Sequence, residues 1–202
     1  MNSNSQLFTD VQQHVSTLNS QLILGIDPGT TVMGAALLEI TNGNAALKAM
    51  TTLSFKDCAD HYQKLAKIEK FVSEVIEAYK PDALAIESPF FGKNVQSMLK
   101  LGRAQGVAIA VAVNKGLNVH EYSPLKIKMA ITGNGASSKE QVAGMLKRFL
   151  HIDPERMHVK LDATDALAAA YCHYLQLRVP TTSATHYKSW KEFTQKNSER
   201  VK

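Results

Sequence analysis

Apolar positions in the first third of the chain predict three β-strands. Leu22–Ile26 is a continuous apolar run and predicts a buried strand. Val32–Ile40 and Ala45–Phe55 predict two further strands, and Asn42-Gly43-Asn44 between them is typical of a hairpin turn. We expect these three strands to form an antiparallel meander.

The rest of the chain alternates helical and strand patterns. Predicted helices span Asp60–Lys80, Asn94–Asn114, a short segment from Ser123, Ser138–Leu150 and Asp162–Leu177, and predicted strands span Ala83–Ile86 and Asn118–Tyr122. Helical crossovers make the later strands parallel to the first. The pattern therefore predicts an α/β fold, a mixed five-stranded sheet flanked by helices.

Length and composition favour a single folded domain. The chain has 202 residues, of which 45% are hydrophobic. We expect an N-terminal extension at 1–21, a folded domain at 22–177 and a basic tail at 178–202.

Cys58 and Cys172 make neither a disulfide framework nor a zinc motif. No apolar window approaches the roughly 20 residues of a membrane span, and Met1–Gln21 lacks the positive region of a signal peptide, so we expect a cytoplasmic protein.

The positive charge is concentrated in two stretches. The net charge is +5; Lys93–Arg148 holds nine basic and two acidic residues, and Arg178–Lys202 holds six and two. The remainder is net acidic. A basic surface beside an acidic one suits an enzyme that acts on a polyanion. Lysines that only keep the protein soluble would explain the charge equally well.

Four acidic residues fall where a catalytic site is expected. Asp27 and Glu87 follow the first and fourth strands, and parallel neighbours about 4.8 Å apart would bring them to one sheet edge. Asp162 and Asp165 share one face of the first turn of the last helix. Singly, each could be only a turn residue, strand-end charge or helix cap. Four carboxylates that converge without a matching lysine would repel one another, and Mg²⁺ would resolve this conflict. Two such ions would support phosphodiester hydrolysis.

Several short motifs follow one another along the chain in a distinctive order. They are Leu24–Gly29 (LGIDPG), Ala85–Glu87, Lys93-Asn94, Leu99–Ala108, Glu121-Tyr122, Lys126–Lys128, Gly133–Gly135, Ser138-Lys139, Gln141-Val142 and Asp162–Ala168. Their order and spacing from about Leu22 to Leu177 resemble the RuvC family of Holliday-junction resolvases.

The resemblance implies a ribonuclease H-like fold and a homodimer that makes paired symmetric nicks in four-way junction DNA, with Mg²⁺ or Mn²⁺, in recombination and repair. It implies a nucleoid-associated location and suggests branch-migration partners of the RuvA and RuvB type. The family's four acidic positions fall on Asp27, Glu87, Asp162 and Asp165. Its functional lysines fall on Lys128 and Lys139 and its aromatic wedge on Phe90, and we expect further phosphate contacts from Lys93, Lys100 and Arg103.

Some points stay open in the sequence. Ser88-Pro89 replaces the glutamine that commonly follows the family's glutamate, and Phe90 could equally pack under its loop. Gly102, Gly106 and Ala110 could form the dimer contact or pack on the sheet. The alternative functions are a branched-DNA-binding protein without cleavage and a ribonuclease H-like nuclease for another nucleic acid. An actin-like ATPase needs a second lobe, for which 202 residues leave no room.

Overall fold

The structure is a computed structural model that describes residues 20–88, 94–153 and 161–178, together with Thr194. Most of the predicted extension and basic tail, and the loop residues Phe90 and Lys93, lie outside the described residues, so the domain boundaries stay a prediction. None of the helices in the described ranges combines the length and apolarity that a membrane crossing needs.

Five strands and five helices of more than one turn make up the described chain, close to the predicted bounds. The strands are β1 (Ser20–Asp27), β2 (Val32–Thr41), β3 (Asn44–Ser54), β4 (Ala83–Glu87) and β5 (Asn118–Tyr122). The helices are α1 (His61–Tyr79), α2 (Val95–Asn114), α3 (Pro124–Thr132), α4 (Lys139–Phe149) and α5 (Leu161–Arg178).

The strands form one mixed sheet in the order β3-β2-β1-β4-β5. β2 pairs antiparallel with both β1 and β3, which gives the predicted meander. β4 pairs parallel with β1 and β5 pairs parallel with β4. The predicted sheet is confirmed. Because β1 and β4 run in the same direction, their carboxyl ends lie side by side.

Helices cover both faces of the sheet because every central strand is apolar on both faces. On one face α1 and α2 pack through a core that includes Leu24, Ile26, Ile68, Leu84 and Ala108. On the other face α5, with α3 and α4 beside it, packs through a core that includes Ile23, Leu38, Ala85, Leu146 and Leu167. α5 therefore lies in the interior, which explains its alanine-rich sequence.

Two glycines let the α5 backbone lie directly on the sheet. A Cβ at Gly25 would be 2.1 Å from the carbonyl oxygen of Ala166, and a Cβ at Gly34 would be 1.9 Å from that of Asp162. Only glycine permits such an approach. Since Gly34 is the β2 partner of Asp27, the first turn of α5 lies over the end of β1.

The small-residue face of α2 points to solvent. Gly102, Gly106 and Ala110 are exposed, and a Cβ at either glycine would meet no heavy atom within 4 Å. The buried side of this helix is formed instead by Ala104 and Ala108. Of the two possibilities that the sequence leaves open, packing of the small residues on the sheet is therefore wrong.

Candidate active site

The four acidic residues converge at one edge of the sheet. Asp27 ends β1 and Glu87 ends β4, and the residues before them, Ile26 and Ile86, are paired in parallel register. Asp162 and Asp165 lie in the first turn and a half of α5, which the glycine contact at Gly34 holds over the end of β1. The predicted convergence follows from three adjacent elements of the fold.

The carboxyl groups strongly disturb one another. Burial, followed by the charges of Glu87 and Asp165, raises the pKa of Asp27 to about 8. Burial, followed by the charge of Asp165, raises the pKa of Glu87 to about 7. At pH 7 the Asp27 carboxyl is therefore mostly protonated and that of Glu87 about half protonated, because their pKa values are raised, whereas ordinary carboxyls ionise near pH 4. A cluster of this kind is stabilised by added positive charge.

One lysine lies among the carboxylates. The ammonium of Lys139 forms an ion pair with Asp165. Burial alone would lower the pKa of Lys139, but the hydrogen bond to Asp165 and the charges of Asp165, Asp27 and Glu87 outweigh it and raise that pKa. The expectation of four carboxylates without a matching lysine is therefore wrong. The pairing depends on how α4 packs beside α5, which no local sequence signal reveals.

The start of α4 is firmly fixed, which holds Lys139 in place. Ser138 caps the helix by accepting a hydrogen bond from the backbone N–H of Gln141, and the Gln141 side chain accepts one from the Ser138 N–H at 2.8 Å. This capping box makes the residue after Ser138 the first residue of the helix. The lysine therefore projects from a rigid helix end rather than from a loop.

A small cleft opens beside the carboxylates. Its volume is about 130 Å³, and Glu87, Asp165, Lys128 and Lys139 line it above an apolar floor. The floor is formed by Pro124, Ile127, Val142 and Ala168. Lys128 lowers the pKa values of Glu87 and Asp165, against the larger effect of burial. Both predicted functional lysines thus face the carboxylates, next to a space with two positive charges and two acids.

The donor set suits a hard divalent cation, but the side chains are not arranged around one. Carboxylate oxygens are the ligands that Mg²⁺ prefers, and the raised pKa values of Asp27 and Glu87 show an excess of negative charge. In the described ranges, no three His, Cys, Asp or Glu side chains are close enough to hold a metal ion as they lie. Lys139 pairs with Asp165 in this arrangement. The carboxylates therefore fit a cation in chemistry and charge, but side chains would have to move to surround one.

The other predicted DNA contacts lie apart from this cluster. Lys100 and Arg103 are exposed on α2 and form no ion pair with a described residue. Their charges act on His61 at the start of α1. Burial lowers the pKa of this imidazole most, and the charges of Arg103 and Lys100 lower it further. Neither residue is among the charges that shift the pKa values of the carboxyl cluster. Phe90 and Lys93 fall outside the described residues.

Sequence reasoning missed a buried polar pair behind the site. The hydroxyl of Tyr122, at the end of β5, and Nδ1 of His173 on α5 are 2.7 Å apart. His120, two residues earlier on β5, stacks on the same imidazole with ring centroids 4.0 Å apart. The motif Glu121-Tyr122 was the only signal that pointed to this region.

Similarity to known proteins agrees with this architecture. A mixed five-stranded sheet of this order, flanked by helices, is the architecture of the ribonuclease H-like fold. The family model described as "Crossover junction endodeoxyribonuclease RuvC" matches residues 23–173. The chain therefore belongs to the RuvC family, and the predicted family and fold are confirmed.

Individual relatives cover almost the whole chain. A crossover junction endodeoxyribonuclease RuvC from Bacteroides fragilis is 55% identical over 188 residues, which is 93% of this chain and 100% of that protein. One from Porphyromonas gingivalis is 47% identical over 184 residues, covering 90% and 97%. Among solved structures, Thermus thermophilus RuvC in complex with a Holliday junction substrate superposes with a TM-score of 0.72 at 28% identity, covering 78% of this chain and 95% of that one.

Proposed function

We propose that this protein is a metal-dependent endodeoxyribonuclease that resolves four-way (Holliday) DNA junctions by paired symmetric nicks. The observation that carries the proposal is the cluster of four carboxylates and two lysines at the carboxyl edge of the sheet, in a chain of the RuvC family. The relatives' names and the Thermus thermophilus complex support the junction as substrate.

Asp27, Glu87, Asp162 and Asp165 would hold the metal, which we propose to be Mg²⁺, with two ions in each site and Mn²⁺ as a substitute. When bound, the ions neutralise phosphate charge and lower the pKa of water at the scissile bond. The chain itself fixes the acids on the ends of two strands and the first turns of a helix, and places apolar side chains of the cleft beside them.

The lysines would hold the scissile strand. Lys128 and Lys139 both line the cleft beside Glu87 and Asp165, so a phosphate in it would meet two ammonium groups as well as the carboxylates. Lys139 is shared between Asp165 and any phosphate in the cleft, because its ammonium has three donors. The lysines would thus offset the repulsion between the acidic cluster and DNA.

Cleavage of a labelled immobile four-way junction tests the proposal directly. Matched linear duplex and an RNA–DNA hybrid serve as competing substrates, each with Mg²⁺ and with chelator. We expect paired symmetric nicks in the junction only, and only with metal. Binding without a product under any divalent ion would indicate a binding protein, and cutting of the hybrid would indicate another ribonuclease H-like nuclease.

The variant Asp27→Asn separates the metal site from DNA binding. We expect it to abolish cutting while junction affinity in Ca²⁺ is retained, because the lysines are untouched. Asp57→Asn is the control, since Asp57 pairs with Lys67 on the exposed surface away from the carboxylates. Cleavage by Asp27→Asn at the rate of this control would refute the metal-binding role.

We also propose that two copies associate through α2. The exposed face that holds Gly102 and Gly106 continues with three apolar side chains, Val95, Leu99 and Val113. Val95 and Leu99 are one turn apart and precede the glycines, and Val113 follows them about four turns after Leu99 on the same face, so the positions form one stripe that water covers in the monomer. Close approach of two such stripes would form a dimer with two carboxylate sites, as paired nicks require.

Sedimentation of two matched variants tests this association. Leu99 and Leu177 are both about half exposed, at 52% and 50%, and lie on different helices. We expect Leu99→Glu to sediment as a monomer and Leu177→Glu to retain the dimer. A monomeric wild-type protein would refute the proposal. Partners of the RuvA and RuvB type and the cytoplasmic, nucleoid-associated location stay predictions.

A further inference from the structure

The buried pair formed by Tyr122 and His173 joins β5, the neighbour of the strand that carries Glu87, to α5, the helix that carries Asp162 and Asp165. Tyr122 is the β5 partner of Glu87 in the parallel register, and its carbonyl oxygen accepts a hydrogen bond from the N–H of Ser88 at 2.9 Å. The backbone of Tyr122 therefore fixes the strand end that carries Glu87.

The side chain of the same tyrosine reaches the helix that carries the other acids. Its hydroxyl lies 2.7 Å from Nδ1 of His173 on α5. His173 lies eight residues after Asp165, which is about 12 Å along a helix. Tyr122 and His173 are 5% and 4% exposed, so water does not compete for this bond.

Both groups have a fixed protonation state at neutral pH. Burial, followed by the charge of His120, lowers the pKa of His173 to about 4. Burial raises the pKa of Tyr122 to about 12. The imidazole is therefore neutral and the phenol keeps its proton, so the hydroxyl donates to Nδ1 when the imidazole proton is on Nε2.

The position of this bond complements the two glycine contacts of α5. Gly25 and Gly34 seat the helix on β1 and β2, and its apolar residues pack on the sheet and against α3 and α4. The bond between Tyr122 and His173 adds a directional polar contact to β5, the strand next to β4, and the His120 ring stacks on the same imidazole.

We infer that Tyr122 and His173 are positioning residues that set the distance between Glu87 and the acids of α5. This inference rests on the proposed function, since it concerns the same site. A site of this kind needs its groups held within about 0.5 Å of the productive geometry, so loss of a bond that fixes the spacing of two ligand-bearing elements weakens the site even though the pair bonds to no ligand. The pair touches neither substrate nor metal in this account.

A matched tyrosine on α5 provides the control. Tyr174 is the residue after His173, is equally buried at 4% exposure, and donates its hydroxyl to the carbonyl of Gly43 in the β2–β3 hairpin at 2.9 Å. Tyr174→Phe removes this partly buried bond, and the bond that the hydroxyl accepts from Arg178, from the same helix without touching β5. It therefore reports the general cost of such a loss.

The test compares Tyr122→Phe, His173→Phe, His173→Asn and Tyr174→Phe. Three quantities are measured for each variant. They are the Mn²⁺ affinity by calorimetry without DNA, the junction affinity in Ca²⁺, and the Mg²⁺ concentration that gives half-maximal cleavage. All measurements are made at least 15 °C below the variant's Tm. We expect Tyr122→Phe and His173→Phe to weaken Mn²⁺ binding and to raise the Mg²⁺ requirement by about 10-fold, because small misplacements of the acids are costly. Junction affinity should stay within about twofold.

His173→Asn is the rescue variant, because an asparagine oxygen can occupy the position of Nδ1 and accept the tyrosine bond. We expect it to retain nearly wild-type Mn²⁺ affinity. Equal Mn²⁺ affinity for Tyr122→Phe and Tyr174→Phe would overturn the inference. If the wild-type protein still cut the junction in that case, the proposed function would stand. Wild-type protein that neither binds Mn²⁺ nor cuts the junction would overturn both.

Discussion

The electrostatic cost of the acidic cluster predicts an unusual dependence of stability on pH. Asp27 has a pKa of about 8 in the folded protein, against about 3.9 in an unfolded chain. Between these values the folded state holds a proton that the unfolded state has lost. Stability of the metal-free protein must therefore fall as pH rises from about 4 to about 8, by up to about 1.4 kcal/mol per pH unit for this group. From pH 5 to pH 8 the loss reaches about 3–4 kcal/mol at most.

The variant Asp27→Asn removes this dependence, because the amide resembles the protonated carboxyl. We expect it to be more stable than wild type in chelator, with a difference that grows between pH 5 and 8 and then levels off. Urea unfolding at each pH measures the difference in unfolding free energy. At pH 8, Mg²⁺ should raise the stability of the wild-type protein but not that of the variant. Glu87, whose pKa is about 7, keeps a smaller slope in both proteins. A difference that stays constant from pH 5 to 8 would refute the reasoning.

Three further perturbations probe the elements around the cluster. Lys139→Met removes the ammonium that opposes the raised pKa values of Asp27, Glu87 and Asp165, so single-turnover cleavage should slow about 100-fold and the acidic limb of its pH–rate profile should move to higher pH. An unmoved limb would contradict this. Gly25→Ala forces a Cβ against Ala166 and should cost about 1–3 kcal/mol in urea unfolding, whereas Gly144→Ala, on the open side of α4, should add about 1 kcal/mol. Ser138→Ala removes the cap of α4 and should cost about 1 kcal/mol of unfolding free energy; an unchanged urea midpoint would mean that the cap is dispensable.

The sheet and the place of the acids follow from sequence because their signals are local. The apolar runs that become β1 and β4 end at Asp27 and Glu87, and parallel pairing alone brings these ends together. The spacing of Asp162 and Asp165 likewise needs only the helical repeat. Each of these statements requires a pattern a few residues long and one rule of chain topology.

Contacts between distant elements were not predictable in the same way. The ion pair between Lys139 and Asp165 joins residues 26 positions apart, and it depends on how two helices pack. Gly25 stands out in sequence only as part of the Leu24–Gly29 motif, and nothing local predicts its contact with the α5 backbone. The outward direction of Gly106 on α2 was ambiguous for the same reason, since a small residue suits both a tight contact and an open surface.

The lysine changes how the carboxylate cluster should be understood. Four acids with Lys128 and Lys139 beside them leave a net local charge near −2 when all are ionised, so DNA phosphate alone is repelled from the cleft. Protonation of Asp27 and Glu87 relieves part of that charge near neutral pH, and a divalent cation relieves more. Any cation that makes room for phosphate must, by reciprocity of linked equilibria, be bound more tightly when phosphate is present. If the cluster holds a cation as proposed, it would therefore assemble fully only when both DNA and cation are present, and its chemistry would be confined to bound DNA.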